Sequence, residues 1–300
     1  MITETVVLQS DSRECTDPTY LKIRDLIYRL SGIYEPEEKL YFLAARCARR
    51  MHAVNAKTVG EYLEYLTAPK NRETELRLLL NEITIGETYM FRSPAQLNAL
   101  QDVILPQVME SKSKLGLKRL RLWSAGCSTG EEPYTLAMFL LEKSKTLLAG
   151  WTFDILATDL NDKSLAAAKD GIYGDYALRN VSQALRSKYF SRYDEKRLQV
   201  SEELKSAVRF DRVNLNDDSK MIFLKGFDVI FCCNVLIYFD LNSKRKVTQH
   251  FFADLLPGGY LFLGMAESLY QVEDQFRLVH FPGAVGYCKP ATINIPRGKP

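Results

Sequence analysis

No two of the six cysteines are spaced as C-x-x-C, and the three histidines, His52, His250 and His280, lie far apart. A zinc site, a histidine metal cluster and a disulfide framework are therefore not expected, and the cysteine usage fits a reducing compartment. No apolar run approaches the ~20 residues of a membrane-spanning helix. The opening stretch "MITETVVLQSDSRE" lacks the basic start and long apolar run of a signal peptide. A soluble, cytoplasmic protein with no membrane insertion is the expectation. The net charge of +3 is too small to argue for a nucleic-acid partner. The dinucleotide fingerprint G-x-G-x-x-G is absent, as are internal repeats and low-complexity segments.

What is present is an ordinary globular composition, 46% hydrophobic and 26% charged over 300 residues. That length holds one large domain or two smaller ones with real cores. Residues 1 to about 17 look like a loose tail. From Pro18 to about Leu80 every periodic segment is helical. "YLKIRDLIYRLSGIY" is stopped by Gly32, and "EPEEKLYFLAARCARRMHAVNAK" opens with Pro36 and acids in its first turn. Leu40, Leu43, Ala44, Cys47, Met51 and Val54 give that second helix one apolar stripe. An all-α domain over 18–83 is expected.

From Arg119 the texture changes. "RLRLWSAG", "WTFDILATDLN", "AVRFDRVNL", "FDVIFCCNV" and "YLFLGMAES" read as strands, with "PYTLAMFLLEKSKTLL", "KSLAAAKDG" and "SKRKVTQHFFADLL" as helices between them. Alternating strands and helices predict an α/β domain over 84–290 with a mostly parallel, Rossmann-like sheet covered on both faces. "FRLVHFPGAVGYCK" reads as a terminal antiparallel hairpin.

The stretch "WSAGCSTGEEPYTLA" combines a strand end, a glycine turn and a helix start. Gly126 and Gly130 let backbone approach a ligand closely. In doubly wound sheets such a turn lies at the ligand crevice. A phosphate is the usual guest of such a turn, yet Glu131 and Glu132 stand at its mouth. Like charges ~4 Å apart cost a few kcal/mol at intermediate dielectric. A cationic nucleoside such as S-adenosylmethionine fits the sign of the site. Asp159, closing the next strand, is placed to accept both ribose hydroxyls.

These residues carry a resemblance. "ITIGETYMFRSP", "WSAGCSTGEEPYTLA", "ILATDLNDKSLAAAKDGIY" and "FDVIFCCNVLIYFD" occur in the order and spacing of the CheR-type chemotaxis-receptor protein-glutamate O-methyltransferases. The likeness covers about Tyr20 to Lys289. It implies a small all-α N-terminal domain, an S-adenosylmethionine-dependent methyltransferase domain, and a small β-subdomain inserted within about 187–211. Carried over residue by residue, the cofactor contacts fall on Gly86, Thr88, Arg92, Gly126, Glu132, Asp159, Asn214, Leu215, Cys233 and Asn234. Glu132 would hold the methionine end, Asp159 the ribose, and Val213 to Leu215 the adenine, with Tyr238 facing the methyl. The sequence departs at Gly86, where the family has Asn, and at Cys233, where Arg is frequent. The short, charged insert "RYDEKRLQVSEELKS" argues against docking of a receptor's C-terminal pentapeptide.

A glutamate acceptor is already ionised at neutral pH, its reference pKa being ~4.3, so no general base is needed. Arg92 and Tyr238 are therefore expected to orient the acceptor rather than to move protons. The run 39–57 carries Lys39, Arg46, Arg49, Arg50 and Lys57 and no acid. Arg46, Arg49 and Arg50 share a stripe expected to dock an acidic chemoreceptor bundle. Nothing in the sequence demands more than a monomer. Two alternatives remain: a non-catalytic adaptor binding S-adenosylmethionine or S-adenosylhomocysteine, kept open by Gly86 and Cys233, and a nicotinamide oxidoreductase, disfavoured by the missing fingerprint.

Overall fold

The computed structural model describes residues 17–84 and 86–291, and it divides into two compact units, Met1–Ile85 and Gly86–Pro300. The expected loose tail lies outside the described residues, apart from its last position.

Among the described residues, the first unit holds four α-helices, α1 Thr19–Ser31, α2 Leu40–Val54, α3 Val59–Thr67 and α4 Arg72–Ile83, with a short 3-10 turn, Glu37–Lys39, leading into α2. Gly32 (φ 74°) ends α1 and Asn55 (φ 60°) ends α2, both in the left-handed region that closes a helix. Thr58 caps α3 by accepting the Glu61 N–H. Ile23, Leu43, Cys47, Tyr62, Leu66 and Leu79 fill the core between them. Each such side chain contributes roughly 1.5–3 kcal/mol of burial.

This core also holds a charge. Glu75 on α4 is 2% exposed and receives Arg50 through two bonds, Nε at 2.9 Å and Nη2 at 2.8 Å. The Tyr62 hydroxyl donates a third at 2.9 Å. Arg50 was expected on the docking stripe, and that expectation needs correction. Its fork is turned into the unit, because a buried carboxylate must be paired. Arg49 remains on the surface, where it meets Glu82 at 3.0 Å.

The described residues of the second unit form ten strands. They are β1 Arg119–Ala125, β2 Thr152–Asp159, β3 Ile172–Gly174, β4 Phe190–Arg192, β5 Arg197–Val200, β6 Val208–Arg212, β7 Phe227–Cys232, β8 Leu255–Leu263, β9 Arg277–Phe281 and β10 Ala284–Cys288. Seven make one sheet in the order β6-β2-β1-β7-β8-β10-β9. β6, β2, β1, β7 and β8 are parallel, and β10 pairs antiparallel with β8 and β9. The terminal hairpin is thus the antiparallel edge. All six residues of β7 are buried, as a central strand covered on both faces requires. One face packs under helix Glu131–Lys143 and the helical run from Pro94, and the other under helix Leu241–Asp254. Sequence order reverses between β1 and β7, so the ligand crevice opens at the carboxyl ends of those two strands.

The small sheet, order β3-β5-β4, is antiparallel. Its expected bounds of 187–211 are displaced. The first strand lies earlier, at Ile172–Gly174, and Val208–Arg212 pairs with β2 in the large sheet instead. A three-residue strand has no periodicity to betray it in sequence.

Candidate functional site

The crevice is assembled from loops at the ends of β1, β2, β6, β7 and β8, and from the segment 86–92 that precedes the helical run. The turn after β1 is pinned by two bonds, Gly126 and Cys127 N–H both donating to the Thr158 carbonyl at 2.8 and 2.9 Å. Gly126 (φ 77°) has no room for a side chain, since a Cβ would lie 2.4 Å from Val235 Cγ2. At Gly130 (φ 95°) a Cβ would meet Ala168 and the Tyr173 hydroxyl at 2.9 Å. Both glycines are dictated by close approach.

The two glutamates divide their work. Glu131 is 4% exposed and its Oε2 accepts the Thr129 hydroxyl at 2.7 Å, so it braces the turn from inside. Glu132 lies on the site side, its Oε1 accepting the Ser124 hydroxyl at 2.6 Å. Burial raises the pKa of both. At Glu132 the Ser124 hydroxyl, the Cys233 thiol and the Arg92 charge pull it back down, and the Glu267 charge pushes it up. Asp159 accepts backbone N–H bonds from Ser128 and Asn161, both at 2.8 Å, one on each oxygen. Burial nonetheless holds its pKa above the usual range. The sequence placed Asp159 on a ribose. The structure shows it tying the β1 turn to the β2 loop.

Beside Asp159, the Val213 N–H donates to the Asp159 carbonyl at 3.1 Å, which brings Asn214 and Leu215 to the same rim. Leu215 is buried, and Asn214 Oδ1 accepts the Asn216 N–H at 3.0 Å. Cys233 and Asn234 follow β7. The Cys233 thiol lies 3.6 Å from Gln96 Oε1 and beside Glu132, and burial pushes its pKa far up. It is a packed thiol, not a thiolate nucleophile.

Arg92 stands exposed at the mouth, its Nη1 donating to the Glu87 carbonyl at 2.8 Å and its guanidinium 5.6 Å from the Tyr89 ring. The segment is fixed by Met90 N–H on the Ala177 carbonyl and Phe91 N–H on the Thr135 hydroxyl. Thr88 is half-buried two residues before Met90. Tyr238 closes a single turn, Leu236–Tyr238, after Asn234.

Phe91 (φ 54°), Ser128 (φ 49°) and Asn234 (φ 62°) are non-glycine residues in the left-handed region, and each lies in one of the segments that build this crevice. Backbone strain of this kind gathers at functional sites. Gly86 belongs to the same pattern. A Cβ there would lie 2.1 Å from Ser128 Oγ and 3.2 Å from its Cβ, so the glycine and the serine fit as a pair. Ser128 Oγ is buried with no protein partner. A glycine-lined hollow, an unsatisfied hydroxyl and the half-buried carboxylates of Glu132 and Asp159 suit a polar, cationic nucleoside, and S-adenosylmethionine fits.

Two supporting residues escaped sequence reasoning. Gln96, 7% exposed, donates to the Leu263 carbonyl at 2.7 Å and so joins the helical run to the end of β8. Glu267 accepts backbone N–H bonds from the loop after β7 and from its own loop after β8. The acid in "GMAES", just past a strand end, was the available signal.

Comparison with known proteins places these features in a group. A family model described as "CheR methyltransferase, SAM binding domain" matches residues 86–285. Another, "CheR methyltransferase, all-alpha domain", matches 18–84. Chemotaxis protein methyltransferase 2 of Vibrio cholerae is 34% identical over 275 residues, covering 92% of this chain and 94% of that one. Chemotaxis protein methyltransferase 1 of Pseudomonas aeruginosa is also 34% identical, with 90% and 94% covered. Among solved structures, TrmN from Thermus thermophilus matches at 20% identity and a TM-score of 0.33 over 64% of this chain and 50% of that one, too distant to add to the argument.

Proposed function

We propose, from the premise that the chain belongs to the CheR family of S-adenosylmethionine-dependent chemotaxis methyltransferases, that it forms methyl esters on glutamate side chains of a chemoreceptor's cytoplasmic signalling region. The observation that carries this is the kind of group at the mouth. A cation, Arg92, stands there beside Glu132, and a tyrosine follows the β7 turn. His250, the histidine nearest in sequence, is bonded away to the Leu215 carbonyl and Asp218. An acceptor that is already an anion needs orientation rather than a base.

In this reading Glu132 and Ser128 hold the methionine end of the cofactor, Asp159 the ribose, and Asn214 with Leu215 the adenine. When bound, S-adenosylmethionine supplies an electrophilic methyl on a sulfonium centre. Arg92 spends one donor on Glu87 and keeps others for an acceptor carboxylate, which its planar fork matches. Tyr238 orients the acceptor with its hydroxyl and shields the methyl from water. Charge of both signs is lost as the ester forms, so a dry crevice favours transfer.

The test is incubation with radiolabelled cofactor and chemoreceptor signalling domains, followed by alkali. Volatile, base-released label from the receptor is expected. Arg92→Ala and Tyr238→Phe should each lower transfer by about 10²-fold while still binding S-adenosylhomocysteine. Label that resists alkali would refute ester formation.

A further inference from the structure

Glu267 lies between β8 and β9, outside every motif that marks the cofactor site. Its Oε2 accepts the Asn234 and Gly264 N–H groups, each at 2.7 Å, and its Oε1 accepts the Ile237 N–H at 3.2 Å. One carboxylate thus fastens the loop after β8 to both ends of the turn after β7. That turn contains Asn234 in the left-handed region at φ 62° and ends on Tyr238. The fit is tight enough to dictate Gly264, where a Cβ would meet Glu267 Oε2 at 2.8 Å and the Asn234 nitrogen at 2.9 Å.

We infer that Glu267 is a positioning residue for methyl transfer, holding the Asn234–Tyr238 turn in the one geometry that presents Asn234 to the cofactor and Tyr238 to the acceptor. This rests on the proposed glutamate methylation for its kinetic arm only. A strained turn at a crevice keeps its shape only when its surroundings over-determine it. Charge-assisted bonds from backbone N–H groups to a carboxylate are the strong kind for that task. Glu267 also adds negative charge beside Glu132, in keeping with a wall that favours a cationic ligand. It touches no reacting atom, so its effect must be read through the turn.

The experiment compares the wild-type chain with Glu267→Gln and Glu267→Ala in two assays. Calorimetric titration of S-adenosylhomocysteine should show affinity falling in the order wild type, Gln, Ala. The glutamine carbonyl can keep the two bonds to Asn234 and Gly264 but sets an NH₂ against Ile237. Transfer to the receptor should lose about 10- to 100-fold in kcat for the alanine variant, with KM for the receptor changed less than about threefold, because a misplacement on the order of 1 Å is that costly. Circular dichroism melts identify the folded fraction at assay temperature. Alanine and wild-type proteins with equal affinity for S-adenosylhomocysteine would overturn the inference. So would losses that merely follow the folded fraction, with Gln no better than Ala. If the wild type makes no alkali-labile ester, the substrate proposal fails while the calorimetric series still decides the role of Glu267.

Discussion

Arg50→Ala should loosen the helical unit far more than a surface arginine would. Glu75 is 2% exposed, and Arg50 supplies two of the three side-chain bonds to its carboxylate. Deleting one member of a buried ion pair costs about 3–5 kcal/mol, since the other charge stays buried and unpaired. A unit the size of residues 17–84 has roughly 3–10 kcal/mol of stability in total. The variant therefore gives up a large fraction of it. Each 1.4 kcal/mol is tenfold in an opening equilibrium, so amide protection in α2 and α4 should fall by ~10²-fold or more. Hydrogen exchange read by mass spectrometry resolves these helices separately. Arg49→Ala is the control, because its side chain is 54% exposed and its pair with Glu82 is worth less than about 1 kcal/mol. The double variant Arg50→Met with Glu75→Leu should regain most of the protection, as buried pairs can be replaced by packed apolar residues. If Arg50→Ala exchanges like the wild type in α2 and α4, the buried pair does not carry this energy and the reasoning is wrong. The docking proposal for the basic stripe is then tested at Arg46 and Arg49, where charge reversal leaves Glu75 paired and should weaken receptor binding as added salt does.

Three further outcomes are expected. Burial raises the Glu132 pKa, and a cationic ligand favours its carboxylate, so affinity for S-adenosylmethionine should fall as the medium is acidified through that raised value; calorimetry in buffers of different ionisation enthalpy should find a proton released on binding in that range, and an affinity that stays flat down to the acid limit of the folded protein would refute it. Gly126→Ala puts a methyl 2.4 Å from Val235 Cγ2 at φ 77° and should abolish measurable S-adenosylhomocysteine binding or weaken it by more than about tenfold; unchanged affinity would show that the turn can yield. Asp254 is wholly buried with a pKa raised to about 6 by burial, against about 3.9 unfolded, so the folded state binds the extra proton and stability falls as pH rises from about 4 through 6, by roughly 3 kcal/mol in all. Asp254→Asn should flatten that slope in denaturant titrations, and an unaltered slope would assign it to other groups.

What the sequence could show and what it could not divide along one line, the distance between interacting residues. The β1 turn was legible because every part of it is local: an apolar strand, glycines four apart, and a helix start within fifteen residues. The strands of the large sheet announced themselves as apolar runs, and the edge hairpin through its Pro-Gly turn. The supports of that frame are not local. Arg50 and Arg49 are neighbours on one helix, and only a glutamate 25 residues further on turns one of them inward. Glu131 and Glu132 are adjacent and identical in type, yet one braces the turn and the other lies on the cofactor side, because a helix rotates ~100° per residue. Glu267 is the furthest case. It acts on backbone N–H groups, which every residue but proline carries, so no pattern of side chains 33 positions away could point to it. The same logic explains Gly86 and Ser128, whose complementarity is a matter of one missing Cβ across two loops. Chemistry that comes to the ligand through side chains is written in short motifs. The rigidity of the frame is written in backbone contacts between loops, which in this chain are gathered by carboxylates: Asp159 between the β1 and β2 loops, and Glu267 between the β7 and β8 loops.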